Sequence, residues 1–190
     1  MNTYDKVVMT KPWKILDEDY FYNFSPMFAA KRSRRENPRS GKPYEFLLME
    51  GLDWVNVLLF TPDNHIILVQ QYRHGAERVT LELPGGMIEQ GEDPKDGAAR
   101  EALEETGFNA CALRLLGSVY ANPALQAQKL HIFIGTTDGN APAAQTLDNG
   151  EDIKVITRPF AEFIDDVRCG RAEHALTVTA VGFYLLQRPS

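Results

Sequence analysis

Residues 86–108 read GMIEQGEDPKDGAAREALEETGF, and the punctuation of this stretch fixes a helix within it. Asp93 can cap the helix, because its side-chain oxygen can accept from a free N–H of the first turn. Pro94 suits the first helical position, where no N–H is required, and Gly107 suits the left-handed position just past the end. The helix is therefore predicted over residues 94–106. At about 100° per residue, Ala98, Ala99, Ala102, Leu103 and Thr106 fall on one side and Glu101, Glu104 and Glu105 on the other. The small apolar side is expected to pack, and the three carboxylates converge. Such like charges repel by roughly a few tenths of a kcal/mol per pair in water. From the helix alone, either a cation offsets them or they form a solvated acidic face. Gly97 lies on the carboxylate side, one turn before Glu101, where it either leaves room for a phosphate or simply weakens the first turn.

Working outward, residues 79–83 form a short predicted strand that runs into Pro84-Gly85-Gly86, a loop with backbone freedom. Before it, the aliphatic runs 54–60 and 66–72 are joined by Pro62-Asp63-Asn64 and predict a hairpin. After the helix, strands are expected at 113–120, 130–134 and 153–157, and helices at 160–168 and 175–187. Strands with few helices among them indicate a mixed α/β layer structure. Residues 1–50 differ in character: aromatic segments at 13–16 and 20–24 precede a predicted hairpin in which 27–33 and 44–49 flank Pro38-Arg39-Ser40-Gly41. This is a β-rich extension, and 51–190 is the main domain.

The length of 190 residues suits one domain with a small extension, and 44 % apolar with 24 % charged residues excludes a disordered or fibrous chain. Twenty basic against twenty-six acidic residues, a net charge of −6, argue against general affinity for nucleic acid or anionic membrane. An acidic protein that handles an anionic substrate usually does so through a divalent cation. Residues 1–6 lack the pattern of a secretory signal and no long apolar run occurs, so a cytoplasmic location is expected. Cys111 and Cys169 have no metal-ligand spacing and are read as reduced thiols. His65, His74, His131 and His174 show no clustered spacing and receive no catalytic role.

Gly86, five residues, Glu92, seven residues, then Arg100-Glu101-Ala102-Leu103-Glu104-Glu105-Thr106-Gly107-Phe108 resembles the Nudix box. The match departs only at Ala102, where that family usually carries a larger aliphatic residue. The resemblance implies an α/β/α sandwich with a mixed sheet and hydrolysis of nucleoside diphosphates linked to another group. It implies Glu101, Glu104, Glu105 and the Gly85 carbonyl as Mg²⁺ ligands, with Mn²⁺ able to substitute, Arg100 holding the carboxylates by ion pairing, and Glu92 bracing the loop. Oxygen ligands of this kind suit a hard cation that shares substrate phosphates.

Three features outside the box resemble the branch that cleaves ADP-ribose and related nucleoside diphosphate sugars. Pro123 lies sixteen residues after Gly107. Arg73, in Gln70-Gln71-Tyr72-Arg73-His74-Gly75, and Glu82, in Leu81-Glu82-Leu83-Pro84, match positions at which that branch contacts substrate; Arg73 can also be a surface ion pair. Glu151, in Asp148-Asn149-Gly150-Glu151-Asp152, matches its general base, with Glu105 as the other candidate. The branch also uses its N-terminal β-extension to form a homodimer. Tyr20, Phe21, Tyr22 and Phe28 are expected mostly as hairpin core, with adenine stacking as the second reading. The run from Lys31 to Arg35 is expected as a solvated strand face, or as an attractor for the substrate. The competing functions are a Nudix hydrolase of dinucleoside polyphosphates, coenzyme A or nucleoside triphosphates, and a non-catalytic nucleotide-sugar sensor.

Overall fold

The computed structural model describes residues 11–24 and 27–187; the reading of residues 1–6 lies outside them. The chain divides into two compact units, residues 1–51 with 122–127, and residues 52–121 with 128–190.

In the first unit, β1 (Lys14–Phe24), β2 (Phe28–Glu36) and β3 (Pro43–Gly51) form an antiparallel sheet in the order β1-β2-β3. The β2–β3 hairpin runs in unbroken register from Phe28↔Gly51 to Glu36↔Pro43. Its turn is held by the Asn37 side chain, which accepts from the N–H groups of Arg39 and Ser40. Residues 122–127 join this unit through Met49 N–H, which donates to Leu125 O at 2.7 Å. The aromatic residues of β1 are not core: Tyr20, Phe21 and Tyr22 are exposed, Phe21 to 62 %. A three-stranded sheet has no second layer of its own to cover them. The basic run is likewise not uniformly solvated, because strand alternation sends every second residue inward. Lys31 and Ser33 are buried while Arg32 and Arg34 are exposed. Lys31 pairs with Glu18 at 2.8 Å and also with Glu50.

The second unit is built on a six-stranded sheet: β4 (Trp54–Phe60), β5 (His65–Arg73), β6 (Arg78–Glu82), β7 (Ala110–Tyr120), β8 (Lys129–Thr137) and β9 (Ile153–Pro159). The path β6-β5-β4-β8-β7 is antiparallel except for the parallel pair β4–β8, and β9 pairs with β5. The expected β4–β5 hairpin exists only at its turn, through Leu59↔Ile67 and Phe60↔Ile66. Beyond it, β4 continues along β8 while β5 takes β6 from Val69 to Arg73. The two strands part because each finds a longer partner elsewhere, and the opening between them admits the loop that follows β6.

Both faces of the sheet are covered. Helix α1 (Pro94–Thr106) packs Ala98 and Ala102 against Val55, Val57, Leu59, Ile67 and Phe133. Helices α2 (Phe160–Arg168) and α3 (Ala175–Leu186) cover the other face, where Phe163, Ile164, Ala180 and Val181 meet Leu58, Phe60, Ile66 and Leu68. The alternation along β4 sends odd residues to α1 and even ones to α2 and α3. The result is an α/β/α sandwich with a mixed sheet. Among the described residues, no helix is long and apolar enough to cross a membrane.

Candidate active site

Helix α1 begins and ends where its sequence dictates. Asp93 Oδ1 accepts from Lys95 N–H at 2.8 Å, and Gly107, at φ +72°, closes the helix with its N–H on Leu103 O at 2.8 Å. Its orientation departs from the sequence expectation. Leu103 is 39 % exposed, whereas Glu101 and Glu105 are buried with Ala98 and Ala102. The sheet beneath accepts only small side chains at the contact, so the helix rolls its alanines and two of its carboxylates inward. Glu104 remains half-exposed.

What receives those carboxylates is the loop after β6. Its backbone is stitched to β4 by Val57 N–H on Pro84 O and Val55 N–H on Gly86 O, both at 2.9 Å. This close approach requires glycine. Gly85 lies at φ +150°, and a Cβ there would stand 2.1 Å from Val55 O. Gly85 N–H donates to Glu105 Oε2 at 2.7 Å. A Cβ on Gly86 would meet the Glu101 carboxylate at 2.6 to 2.7 Å.

Arg100 organises the remaining carboxylates. Its Nε and Nη2 donate to the two oxygens of Glu92, each at 2.9 Å, and Nη1 donates to Glu101 Oε1 and Glu104 Oε2 at the same distance. Glu92 also accepts from Glu89 N–H, which ties the loop to the helix. Gly97 serves this brace: a Cβ there would stand 3.0 Å from Glu92 Oε2, so the space its missing side chain leaves belongs to Glu92.

Burial is the main electrostatic cost of the arrangement. It pushes the Glu101 carboxyl up to about 7, against the pull of Arg100 and with the help of the Glu104 and Glu151 charges. Glu105, only 3 % exposed, is pushed by burial to about 8; Gly85 N–H opposes this, and Glu101 and Glu151 add to it. Among the described residues no three His, Cys, Asp or Glu side chains already close on one point. The donor set nevertheless fits a hard divalent cation: two crowded carboxylates, one of them without an ion pair, on a helix facing a glycine loop.

Arg73, at the end of β5, donates through Nε to Glu82 Oε1 at 2.8 Å and through Nη2 to Glu82 Oε2 at 2.6 Å. Glu82 is 1 % exposed and also accepts from Thr80 Oγ1. Its oxygens are therefore committed within the protein, and its evident work is to hold the guanidinium. Among the described residues Nη1 of Arg73 meets no acceptor. Glu151 lies in the loop before β9, exposed, with Oε2 accepting from Asp148 N–H at 3.0 Å. Its charge is felt by Arg73, Glu101 and Glu105. Pro123 falls in the 122–127 segment of the other unit.

Two contributors carry no local sequence signal. Gln145 Nε2 donates to Glu105 O and to Ile153 O, so it ties the end of α1 to the start of β9, two residues after Glu151. The same strap places Ala143 O where only Gly107 fits, since a Cβ there would stand 2.1 Å away. His174 brings Nδ1 within 3.2 Å of Glu82 Oε2. Both depend on chain returning from far along the sequence.

The comparisons with known proteins agree with this geometry. The NUDIX domain model matches residues 53–173. The methanol dehydrogenase activator of Bacillus methanolicus is 32 % identical over 133 residues, 70 % of this chain and 72 % of that protein. The ADP-ribose pyrophosphatase of Bacillus subtilis (strain 168) is 30 % identical with the same coverage. A solved structure described as an ADP compounds hydrolase superposes with a TM-score of 0.78 over 94 % of this chain and 95 % of that one, at 23 % identity, which speaks for the fold. With its box, its sandwich and its buried helix carboxylates all in place, the chain belongs to the Nudix family.

Proposed function

We propose that this protein is a Mg²⁺-dependent pyrophosphohydrolase, with Mn²⁺ able to substitute, that cleaves the diphosphate of ADP-ribose or a related nucleoside diphosphate sugar into a nucleoside monophosphate and a sugar phosphate. The observation that carries the reading is the buried pair Glu101 and Glu105, turned toward the glycine loop within the field of Arg73 and Glu151. Glu101, Glu104, Glu105 and the Gly85 carbonyl would hold the cation. When bound, it would neutralise the diphosphate and stabilise the charge of an in-line displacement. Arg73, pinned on one side by Glu82, donates to a phosphate oxygen through Nη1. Arg100 keeps Glu101 and Glu104 apart from each other's charge. Glu151, in a polar loop open to solvent, takes the proton of the attacking water. No covalent enzyme intermediate is needed. Pro123 keeps a substrate-binding role in this reading on the strength of its spacing sixteen residues after Gly107 alone.

The exposed aromatic residues of β1 support a homodimer built on residues 1–50, since such a sheet gains stability by covering them with a second copy. A cytoplasmic location goes with a nucleotide-sugar substrate. The test is kcat/KM for ADP-ribose, GDP-mannose, diadenosine polyphosphates and dGTP under one set of conditions. A nucleoside diphosphate sugar should lead by orders of magnitude, because groups built to bond its sugar are left unpaired without it. A triphosphate or dinucleotide in first place refutes the substrate assignment.

A further inference from the structure

Next to the Arg73 guanidinium, the exposed edge of β6 and the residues just before α3 border an open cavity of about 340 Å³, lined by Arg73, Arg78, Thr80, Glu173 and His174 with Ala76 and Ala175. We propose that this cavity seats the sugar of the substrate, the hydroxylated group beyond the second phosphate, with His174 Nε2 hydrogen-bonded to one of its hydroxyls. The inference rests on the nucleoside diphosphate sugar reading and adds a residue to it.

The charges of the walls select the ligand class. Both arginines are already paired, Arg73 with Glu82 and Arg78 with Glu173 at 2.8 Å. With Arg78 paired to Glu173, the walls away from Arg73 carry no net charge to hold a phosphate of their own. The only apolar wall residues are two alanines, which offer no surface for a nucleobase to stack on. What remains is a mixed wall, alanines and apolar side-chain stems beside a few polar ends, in a volume suited to a pentose or hexose, whose ring offers C–H faces as well as hydroxyls.

His174 is held through Nδ1. Nδ1 faces Glu82 Oε2 and Thr177 Oγ1, each at 3.2 Å. Thr177 Oγ1 also accepts from Leu83 N–H, which fixes the hydroxyl that holds the ring. Burial lowers the ring's proton affinity, the Glu82 charge works against this, and the ring is neutral at pH 7. Nδ1 is thus engaged within the protein, and Nε2 is the ring nitrogen left for a sugar hydroxyl, which can either donate to it or accept from it. Arg73 is the common wall: one part of its guanidinium grips Glu82 while Nη1, which meets no acceptor among the described residues, is placed for a phosphate, so a sugar in the cavity and its phosphate at Arg73 are contiguous.

The experiment uses the full chain and two probes, ribose 5-phosphate and AMP, with affinities read by calorimetry in the presence of Mg²⁺ and as product-inhibition constants. His174→Asn keeps a polar group near Glu82 and removes Nε2; Arg78→Ala removes a second wall group, whose guanidinium can donate to a sugar hydroxyl. Each variant should weaken ribose 5-phosphate by about fivefold to tenfold, the loss of one hydrogen bond, and leave AMP within twofold. KM for ADP-ribose should rise with kcat little changed. Unchanged ribose 5-phosphate affinity in both folded variants overturns the proposal, as does no binding to the wild type. Equal weakening of both probes also overturns it, since that is the mark of a disturbed Arg73. If ribose 5-phosphate binding falls as expected while ADP-ribose is not hydrolysed, the cavity assignment stands and the reading of the activity fails; hydrolysis with unchanged binding has the opposite meaning.

Discussion

Gly86→Ala separates catalysis from folding. A Cβ at Gly86 would lie 2.6 Å from Glu101 Oε2 and 2.7 Å from Cδ and Oε1, where ordinary contact begins at 3.4 Å. The carboxylate must retreat by about 0.8 Å. Nothing in the backbone resists the substitution, since Gly86 is not in the left-handed region, and the nearest atoms belong to the end of a flexible side chain. The displacement also strains the 2.9 Å bond between Glu101 Oε1 and Arg100 Nη1. A misplacement of about 1 Å in a reacting constellation can cost roughly 100-fold, so kcat/KM for ADP-ribose should fall by about two orders of magnitude. The unfolded-state entropy lost with glycine offsets the crowding, and stability should stay within about 1 kcal/mol of wild type. Gly182→Ala is the control: it lies in α3, a Cβ there meets nothing within 4 Å, and alanine should raise stability by roughly 0.5–1 kcal/mol at unchanged activity. Steady-state kinetics with thermal unfolding decide the matter. A folded Gly86→Ala protein with activity within fivefold of wild type would refute the placement of Glu101 in the site.

Glu101→Gln and Glu105→Gln should each lower turnover by more than about 100-fold in a folded protein, and chelation should abolish activity that Mg²⁺ or Mn²⁺ restores; full activity in chelator would exclude the metal site. Glu151→Gln should depress kcat by at least about tenfold with KM near normal, and a smaller loss would transfer the base to Glu105. Removing residues 1–50 should give monomer or aggregate with little activity, and a monomeric full-length protein by sedimentation would contradict the dimer. Burial works to raise the Glu82 carboxyl, but the Arg73 and Thr80 hydrogen bonds outweigh it and hold it below the usual 4.5. A carboxyl depressed in the folded state contributes stability above its unfolded value, and that contribution is lost as pH falls through the folded one. The stability gap between wild type and Glu82→Gln should therefore be full at pH 7 and narrow below about pH 4.5; a gap independent of pH would show that the Arg73 pair does not stabilise the fold.

The sequence by itself determined those features whose causes are local. Asp93, Pro94 and Gly107 bound the helix at residues 94 and 106 because caps act within a few residues. Strands β4 and β6 to β9, and helices α2 and α3, follow from short apolar runs between turn residues, with ends displaced by a few positions at most. The box residues were legible because their spacing along one helix is their spacing in space. Tertiary structure decided what depends on chain far away. It paired β4 with β8 in parallel and opened the β4–β5 hairpin, since register with a distant strand leaves no mark near a turn. It rolled α1 so that Glu101 and Glu105 face inward and Leu103 outward, because the sheet beneath selects which side can pack, and helical periodicity only divides the sides. It buried Glu82 under Arg73 and His174, which are 9 residues before it and 92 after it. The Gln145 strap likewise joins Glu105 and Ile153 across the loop that carries Glu151. Hydrogen bonds and burial are properties of the assembled surfaces, so these roles exist only once the sheet and its helices have closed on one another.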